Sequence, residues 1–454
     1  MPISILIIWS VLNDGHDWRG DFAMYVSQAQ SILDGTVNEL YAMNVYSMDH
    51  SETVLGPYLY QFGFPLLLAP VLALFGLNFF ALKWLCSAGL VLAIPLMFRL
   101  FRLHFRSGFY PTLIVSFIAF HSAYVIFCDS ILSDLPFLGF SMLALVLIPK
   151  RPTVLNQLVL GLVIYFSYLI RDIGIVLLPS LLSFQLANHY SITRSNGFQK
   201  QQVIPYLVFV FSFLISAQLL PPGQENHLKA LFTEVSKASV IQNLEYYETL
   251  ILQFLRIGPN SSIGSAVLVG LALIGALFSA RKAPHLLVYL ILSFAILAIW
   301  PYRQGIRFLF PLLPILIFLV VKGLTALFYS TRSGRYALQT VLSFVLAYQL
   351  WFSAKEIHAY SITDSNACYT SEMRQIYTFM RNELPKDRIV ANYYPRVLRM
   401  FTGMNAIRVG QWEFEGSDAF YLQTGKAYVD PSIMERYDVV FETENEIILG
   451  KREP

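Results

Sequence analysis

The chain has 454 residues, 56% of them hydrophobic and 13% charged, with a mean hydropathy of +0.55. That balance excludes a soluble globular protein and requires lipid as the solvent for most of the length, which makes the chain a polytopic membrane protein. The net charge of +3 carries no signal for nucleic acid. The three cysteines, Cys86, Cys128 and Cys368, offer neither a disulfide framework nor metal-ligand spacing.

The first apolar stretch, residues 3–12, is short against the roughly 20 residues that cross the hydrocarbon core. It either borrows flanking residues or follows a start upstream of Met1. A secretory signal is disfavoured, because no basic segment and no small-residue cleavage site stand before Asp14. In the following loop, 13–57, Asp21 heads a run to Gly35 in which Phe22, Tyr25, Val26, Ala29, Ile32 and Leu33 recur at spacings of three and four. The spacing predicts an amphipathic helix on the membrane surface, with Gly35 able to end it in a left-handed conformation and Asp21 held at the water boundary. Residues 57–76, interrupted by Pro65 and Pro70, are read as an interfacial or re-entrant helix. Counting them as a span would force the basic loop 99–106 outside.

Spans are expected at 79–98, 109–128, 131–148, 154–170, 173–190, 203–221, 263–279, 284–300, 306–328 and 337–353. Loops 99–106, 149–153, 188–202, 280–284 and 329–336 hold 11 Lys or Arg and no Asp or Glu, so the positive-inside rule makes them cytoplasmic. The stretches at Asp129–Asp134, Arg171–Asp172, 222–262 and 301–305 then face the other side, with 222–262 a candidate lid. After 353 the chain turns polar. A helix-like run at 369–383, a strand-like segment at 388–392 and a hairpin pairing 437–441 with 446–450 predict a small α/β domain on the non-cytoplasmic face. The expected fold is therefore an all-α polytopic membrane domain, 1–353, with about 11 transmembrane helices plus interfacial helices, followed by an α/β domain at 354–454.

Three motifs then occur in order on one expected side. Asp21, Tyr25, Ala29 and Gly35 form Asp-x-x-x-Tyr-x-x-x-Ala-x-x-x-x-x-Gly; Ser133-Asp134-Leu135-Pro136-Phe137 heads a span; Arg307-Phe308-Leu309-Phe310-Pro311-Leu312-Leu313-Pro314 gives Arg-aromatic-x-x-Pro-x-x-Pro. The set resembles the C superfamily of integral membrane glycosyltransferases, the group of the protein O-mannosyltransferases and lipid A aminoarabinose transferases. Many of these carry a second carboxylate where this chain has Phe22. The resemblance implies a sugar donor on a polyprenyl phosphate, an acceptor that is a lipid, glycan or protein, inversion at the anomeric carbon, and residence in a bacterial inner membrane with the site on the non-cytoplasmic side.

The chemistry asks for few groups. A sugar on a polyprenyl phosphate leaves with a phosphate that is already a stable anion, so one base to activate the acceptor suffices, and Asp21 is the candidate. Cations must hold the phosphate, for which Arg307, Arg303 and Arg171 are available, and Asp134 is a candidate supporting acid. Each has a plainer reading. Asp21 and Asp134 could cap helices, Arg303 and Arg307 could anchor at headgroups, Arg171–Asp172 could be a local charge pair, and Asp129 could be structural. His16, Asp14 and Asp17 match no firm ligand spacing, so no metal or other cofactor is assigned. A flippase of lipid-linked sugars and a non-catalytic scaffold in glycan assembly are the competing functions. The first would want repeats and charges near mid-membrane, and the sequence has neither.

Overall fold

Apolar runs become helices along the chain because, in lipid, a helix satisfies every backbone N–H and C=O within its own segment. The computed structural model describes residues 2–18, 20–53, 56–191, 199–220, 236–258, 261–328, 331–362 and 367–452. Among these, the four helices Phe79–Arg102, Lys200–Leu219, Ser262–Ser279 and Arg332–Ser361 are long and apolar enough to cross a membrane by length and composition. Shorter apolar helices include Pro2–Val11, Gly63–Phe75, Phe109–Ala119, Asp134–Leu147, Val154–Ile170, Pro284–Ile299 and Leu313–Phe328. Two of the expected spans begin with a tighter turn: the 3₁₀ segments Asp172–Val176 and Gly305–Leu309 stand before Leu177–Ser191 and Leu313–Phe328. The protein is a helical polytopic membrane protein with a small C-terminal sheet.

Three departures from the expected elements have local causes. The run 109–128 is two helices, because the ring of His121 accepts from the Ala123 N–H and caps Ser122–Phe127 as a separate piece. The prolines of 57–76 do not break the helix. Pro65 lies in the first turn of Gly63–Phe75, where a missing N–H costs nothing, and the helix continues through Pro70 to Gly76. A helix at Val37–Asp49 has no counterpart in the sequence reading. Of the expected lid at 222–262, residues 222–235, 259 and 260 lie outside the described residues, and its remainder includes the helix Lys237–Phe254.

The helix that starts at Asp134 is fixed by a close crossing. Gly139 faces Gly89 of Phe79–Arg102 so tightly that a β-carbon on Gly89 would lie 2.2 Å from the Leu135 carbonyl oxygen. Small residues at such a crossing let backbones touch. At the other end of the chain a five-stranded sheet has the order β2-β1-β3-β5-β4, from Val390–Ala391 (β1), Ala406–Ile407 (β2), Tyr421–Gly425 (β3), Asp438–Glu442 (β4) and Glu446–Gly450 (β5). β1 pairs parallel with β2 and β3, and β5 pairs antiparallel with β3 and β4.

This C-terminal region is not separate from the helices. Val397, Leu398 and Phe401 of the helix Pro395–Thr402 share one core with Phe22, Val26 and Phe79, and the Phe401 and Phe79 rings meet edge to face at 6.1 Å. Gly89→Val is expected to force the Phe79–Arg102 and Asp134–Leu147 helices apart and lower stability by about 1–3 kcal/mol or more, read as a fall in the melting temperature of the purified protein in detergent.

Candidate active site

Asp21 occupies the first turn of the helix Gly20–Asp34, where a carboxylate suits the exposed N–H groups and the positive end of the helix dipole. The helix is clamped rather than merely laid down. Phe22, Ala23, Tyr25, Val26 and Ala29 are buried between Gly63–Phe75 and the C-terminal region, and Gly35 follows the helix at φ +72°. One turn and more from Asp21, the buried Gln28 amide donates to the Tyr60 carbonyl at 2.7 Å and accepts from the Tyr60 N–H at 3.0 Å. That pair of bonds fixes the segment before Gly63, and the Tyr60 hydroxyl donates to Asp21 Oδ1 at 2.7 Å. The Tyr25 ring stacks on Tyr60 at 4.4 Å, and its hydroxyl lies 3.1 Å from Ser133 Oγ.

The second oxygen of Asp21 meets the late motif. Arg307 Nη2 donates to Asp21 Oδ2 at 2.9 Å and also bonds Gln304. The 3₁₀ turn that carries Arg307 is held from behind: Phe310 is buried, its carbonyl accepts from the Tyr124 hydroxyl at 2.7 Å, and the two rings stack at 4.4 Å. Asp134, 2% exposed, pairs with Arg171. Both guanidiniums lie against Phe308, at 4.8 Å for Arg171 and 5.7 Å for Arg307.

These four charged groups line one cavity of about 640 Å³. Its polar pole also holds Ser133, Gln61, Asp172 and Gln304, and Gln61 donates to Asp172. Its other flank is apolar, formed by Ile173, Ile175, Ile296, Ile299 and Trp300. Burial raises the Asp21 carboxyl, but Arg307, the Tyr60 hydroxyl and Arg396 together outweigh it and leave the group below its ordinary range. Burial and the neighbouring Asp21 charge push the Tyr60 hydroxyl up, so it keeps its proton and stays a donor.

The remaining sequence candidates lie elsewhere. Arg303 does not line the cavity; it donates to Asn243 Oδ1 at 2.9 Å and Gln242 Oε1 at 3.2 Å, with Tyr246 beneath it. Asp129 is enclosed by donors: Lys83 Nζ at 2.7 Å, the Asn13 backbone and side chain, and the Tyr360 hydroxyl at 2.8 Å. His16 accepts from the Ile131 N–H through Nε2, which places its proton on Nδ1, 3.0 Å from Asp17. Among the described residues no group of three or more His, Cys, Asp or Glu is placed to hold a metal. Tyr60, outside all three motifs, contacts Asp21 through its hydroxyl. Gln28 and Gln61 were missed as partners, and Phe308 appeared only as the aromatic of the late motif; the position of Gln28, seven residues after Asp21 and so on the same helix face, was a signal, and Gln61 had none.

No protein-family profile and no curated protein matches the sequence. Solved structures do. ArnT from Cupriavidus metallidurans bound to undecaprenyl phosphate superposes with a TM-score of 0.59 at 11% identity, covering 99% of this chain and 96% of that one. The chain has the fold of ArnT. The archaeal oligosaccharyltransferase AglB from Archaeoglobus fulgidus, in complex with an inhibitory peptide and a dolichol-phosphate, gives a TM-score of 0.54 at 11% identity over 93% of this chain and 68% of that one. A complex of the Archaeoglobus oligosaccharyltransferase with Zn and sulfate gives 0.53 at 12% identity, over 99% and 72%. The likeness to these solved structures extends over nearly the whole chain.

The Asp134–Arg171 pair yields a stability test. Arg171→Met strands a buried carboxylate and is expected to cost about 3–5 kcal/mol. Adding Asp134→Leu should recover much of that loss, measured as a double-mutant cycle on thermal unfolding in detergent.

Proposed function

We propose that this protein is a glycosyltransferase that moves a sugar from a polyprenyl-phosphate carrier to an acceptor on the non-cytoplasmic side of the membrane, with inversion and with Asp21 as the base. The observation that carries the reading is the two-sided cavity. Asp21, Arg307, Asp134 and Arg171 meet at one pole, while Ile175 and Ile299, 46% and 41% exposed, lie on the apolar flank where an isoprenoid tail could remain in lipid. Binding of undecaprenyl phosphate by ArnT and of dolichol-phosphate by AglB supports the same donor class.

In this reading the acceptor oxygen or nitrogen attacks the anomeric carbon opposite the phosphate. Its proton passes to Asp21, the new bond to the anomeric carbon forms, and the bond from that carbon to the phosphate oxygen breaks with its electron pair. Arg307, with Arg171 beside Phe308, holds the departing polyprenyl phosphate. A phosphate drawn to Arg307 partly cancels the charge that holds Asp21 acidic, so donor binding makes the carboxylate a better base. Asp134 keeps Arg171 in place. Arg303, bound to Asn243 and Gln242, is assigned no part in phosphate binding.

Expected outcomes follow from these roles. Asp21→Asn should lower transfer by about 10²–10⁴-fold with the protein still expressed and folded, at a melting temperature reduced by the loss of the Asp21–Arg307 pair. Comparative mass spectrometry of glycans and glycolipids from cells carrying each variant measures the effect, and an unaltered profile would remove Asp21 from the reaction. For pH, a carboxyl depressed by its partners contributes stability above the ordinary unfolded value of about 4 and loses it as pH falls through its lower folded value. The acid limb contributed by Asp21 to kcat/KM should accordingly lie below about pH 4 and move upward in Tyr60→Phe, which removes one of its donors.

A further inference from the structure

The C-terminal region touches the cavity wall through one side chain that no motif includes. Arg396, in the first turn of the helix Pro395–Thr402, is buried and donates from Nη2 to the Pro57 carbonyl at 2.7 Å. Its guanidinium carbon stands 5.9 Å from the Tyr60 ring centre. Gly56 adopts φ +98°, and a β-carbon built there would come within 3.2 Å of Arg396 Nη1. At the other end of the same side chain, a β-carbon on Gly20 would lie 3.8 Å from Arg396 Cδ. Arg396 is thus wedged between the residue that precedes Asp21 and the Gly56–Tyr60 segment, whose Gly56, Pro57 and Tyr60 line the cavity.

We propose that Arg396 is a positioning residue of the site: it clamps the Gly56–Tyr60 segment over the first turn of the Asp21 helix and supplies a second guanidinium on the Asp21 side of the cavity, so that the C-terminal region is a working part of that site. This rests on the function proposed above for Asp21. The geometry separates Arg396 from ordinary docking contacts. Arg399, three residues on, also crosses to the early loop, bonding Asn44 and, at 3.0 Å, Asn405 Oδ1, but none of its bonds reaches a residue that lines the cavity. Arg396 alone of the two adds to the forces on the Asp21 carboxyl, where it acts with Arg307 from the late turn and the Tyr60 hydroxyl. Tyr25 on the same helix, the Asp134–Arg171 pair, Asp172 and Tyr302 are the other charged and titratable groups that line the cavity.

The test uses the full-length protein in detergent, with dicyclohexylcarbodiimide as a probe that labels protonated carboxyls from an apolar environment. Labelling of the peptide containing Asp21 is followed by mass spectrometry against pH in wild type, Arg396→Met, Arg396→Lys and Arg399→Lys. The midpoint is expected to rise by about 0.5 pH unit or more in Arg396→Met, to rise less in Arg396→Lys, and to stay put in Arg399→Lys. In cells, Arg396→Met should lower the sugar transfer seen in glycan profiles about tenfold or more, with partial return in Arg396→Lys. An unmoved midpoint in Arg396→Met, or an equal shift in Arg399→Lys, would reduce Arg396 to a domain contact and overturn the proposal. If gene deletion leaves the glycan profile unchanged while the midpoints shift as expected, the transferase reading fails and the electrostatic role of Arg396 stands.

Discussion

The contact between Asp21 and Arg307 joins residues 286 positions apart and closes the first loop of the chain against its late turn. A carboxylate removed from water at the head of a greasy helix is costly unless donors replace the lost hydration. Arg307 and Tyr60 each take one of its oxygens. The surrounding structure serves those two donors: Gln28 fixes the Tyr60 backbone, Tyr124 pins Phe310 behind Arg307, and Phe308 keeps both cavity arginines to one side.

Asp21, Asp129 and Asp134 each form an ion pair with a cation of the helical part, and their surroundings rank them for chemistry. Asp129 and Asp134 have side chains 2% exposed, whereas that of Asp21 is 30% exposed. Asp129 is saturated by Lys83, Asn13 and Tyr360 and sits off the cavity, which makes it a strut between distant segments. Asp134 lines the cavity but serves chiefly to hold Arg171. Asp21 has surface open to the cavity and, in the proposed reaction, a partner that the incoming phosphate would draw away. A group that must take a proton from a second molecule needs that combination.

Legibility followed the range of the forces involved. The apolar helices were readable because a run of apolar residues has no stable alternative to a helix in lipid, and the helix Val154–Ile170 falls on its expected bounds. The terminal hairpin was readable from two β-rich runs around a polar turn. The central strand Tyr421–Gly425 was not, since its buried Gln423 breaks the apolar pattern and its amide is met by Asn392, just after β1, and by Glu446 of β5. The break at His121 was hidden for a similar reason: its ring serves both the Ala123 N–H and the Phe254 carbonyl, 133 residues away.

By itself the sequence determined the membrane class, the order of the helices, the amphipathic turn that carries Asp21, and the three motifs in their order along the chain. Periodicity and composition act over a few residues, so they are written locally. Only the tertiary structure decided that Arg307 rather than Arg303 meets Asp21, that Tyr60 supplies the second donor, and that Arg396 arrives from the far end of the chain. Those pairings depend on how helices cross and where turns aim their side chains, and such long-range geometry leaves no trace in the spacing of residues along one segment.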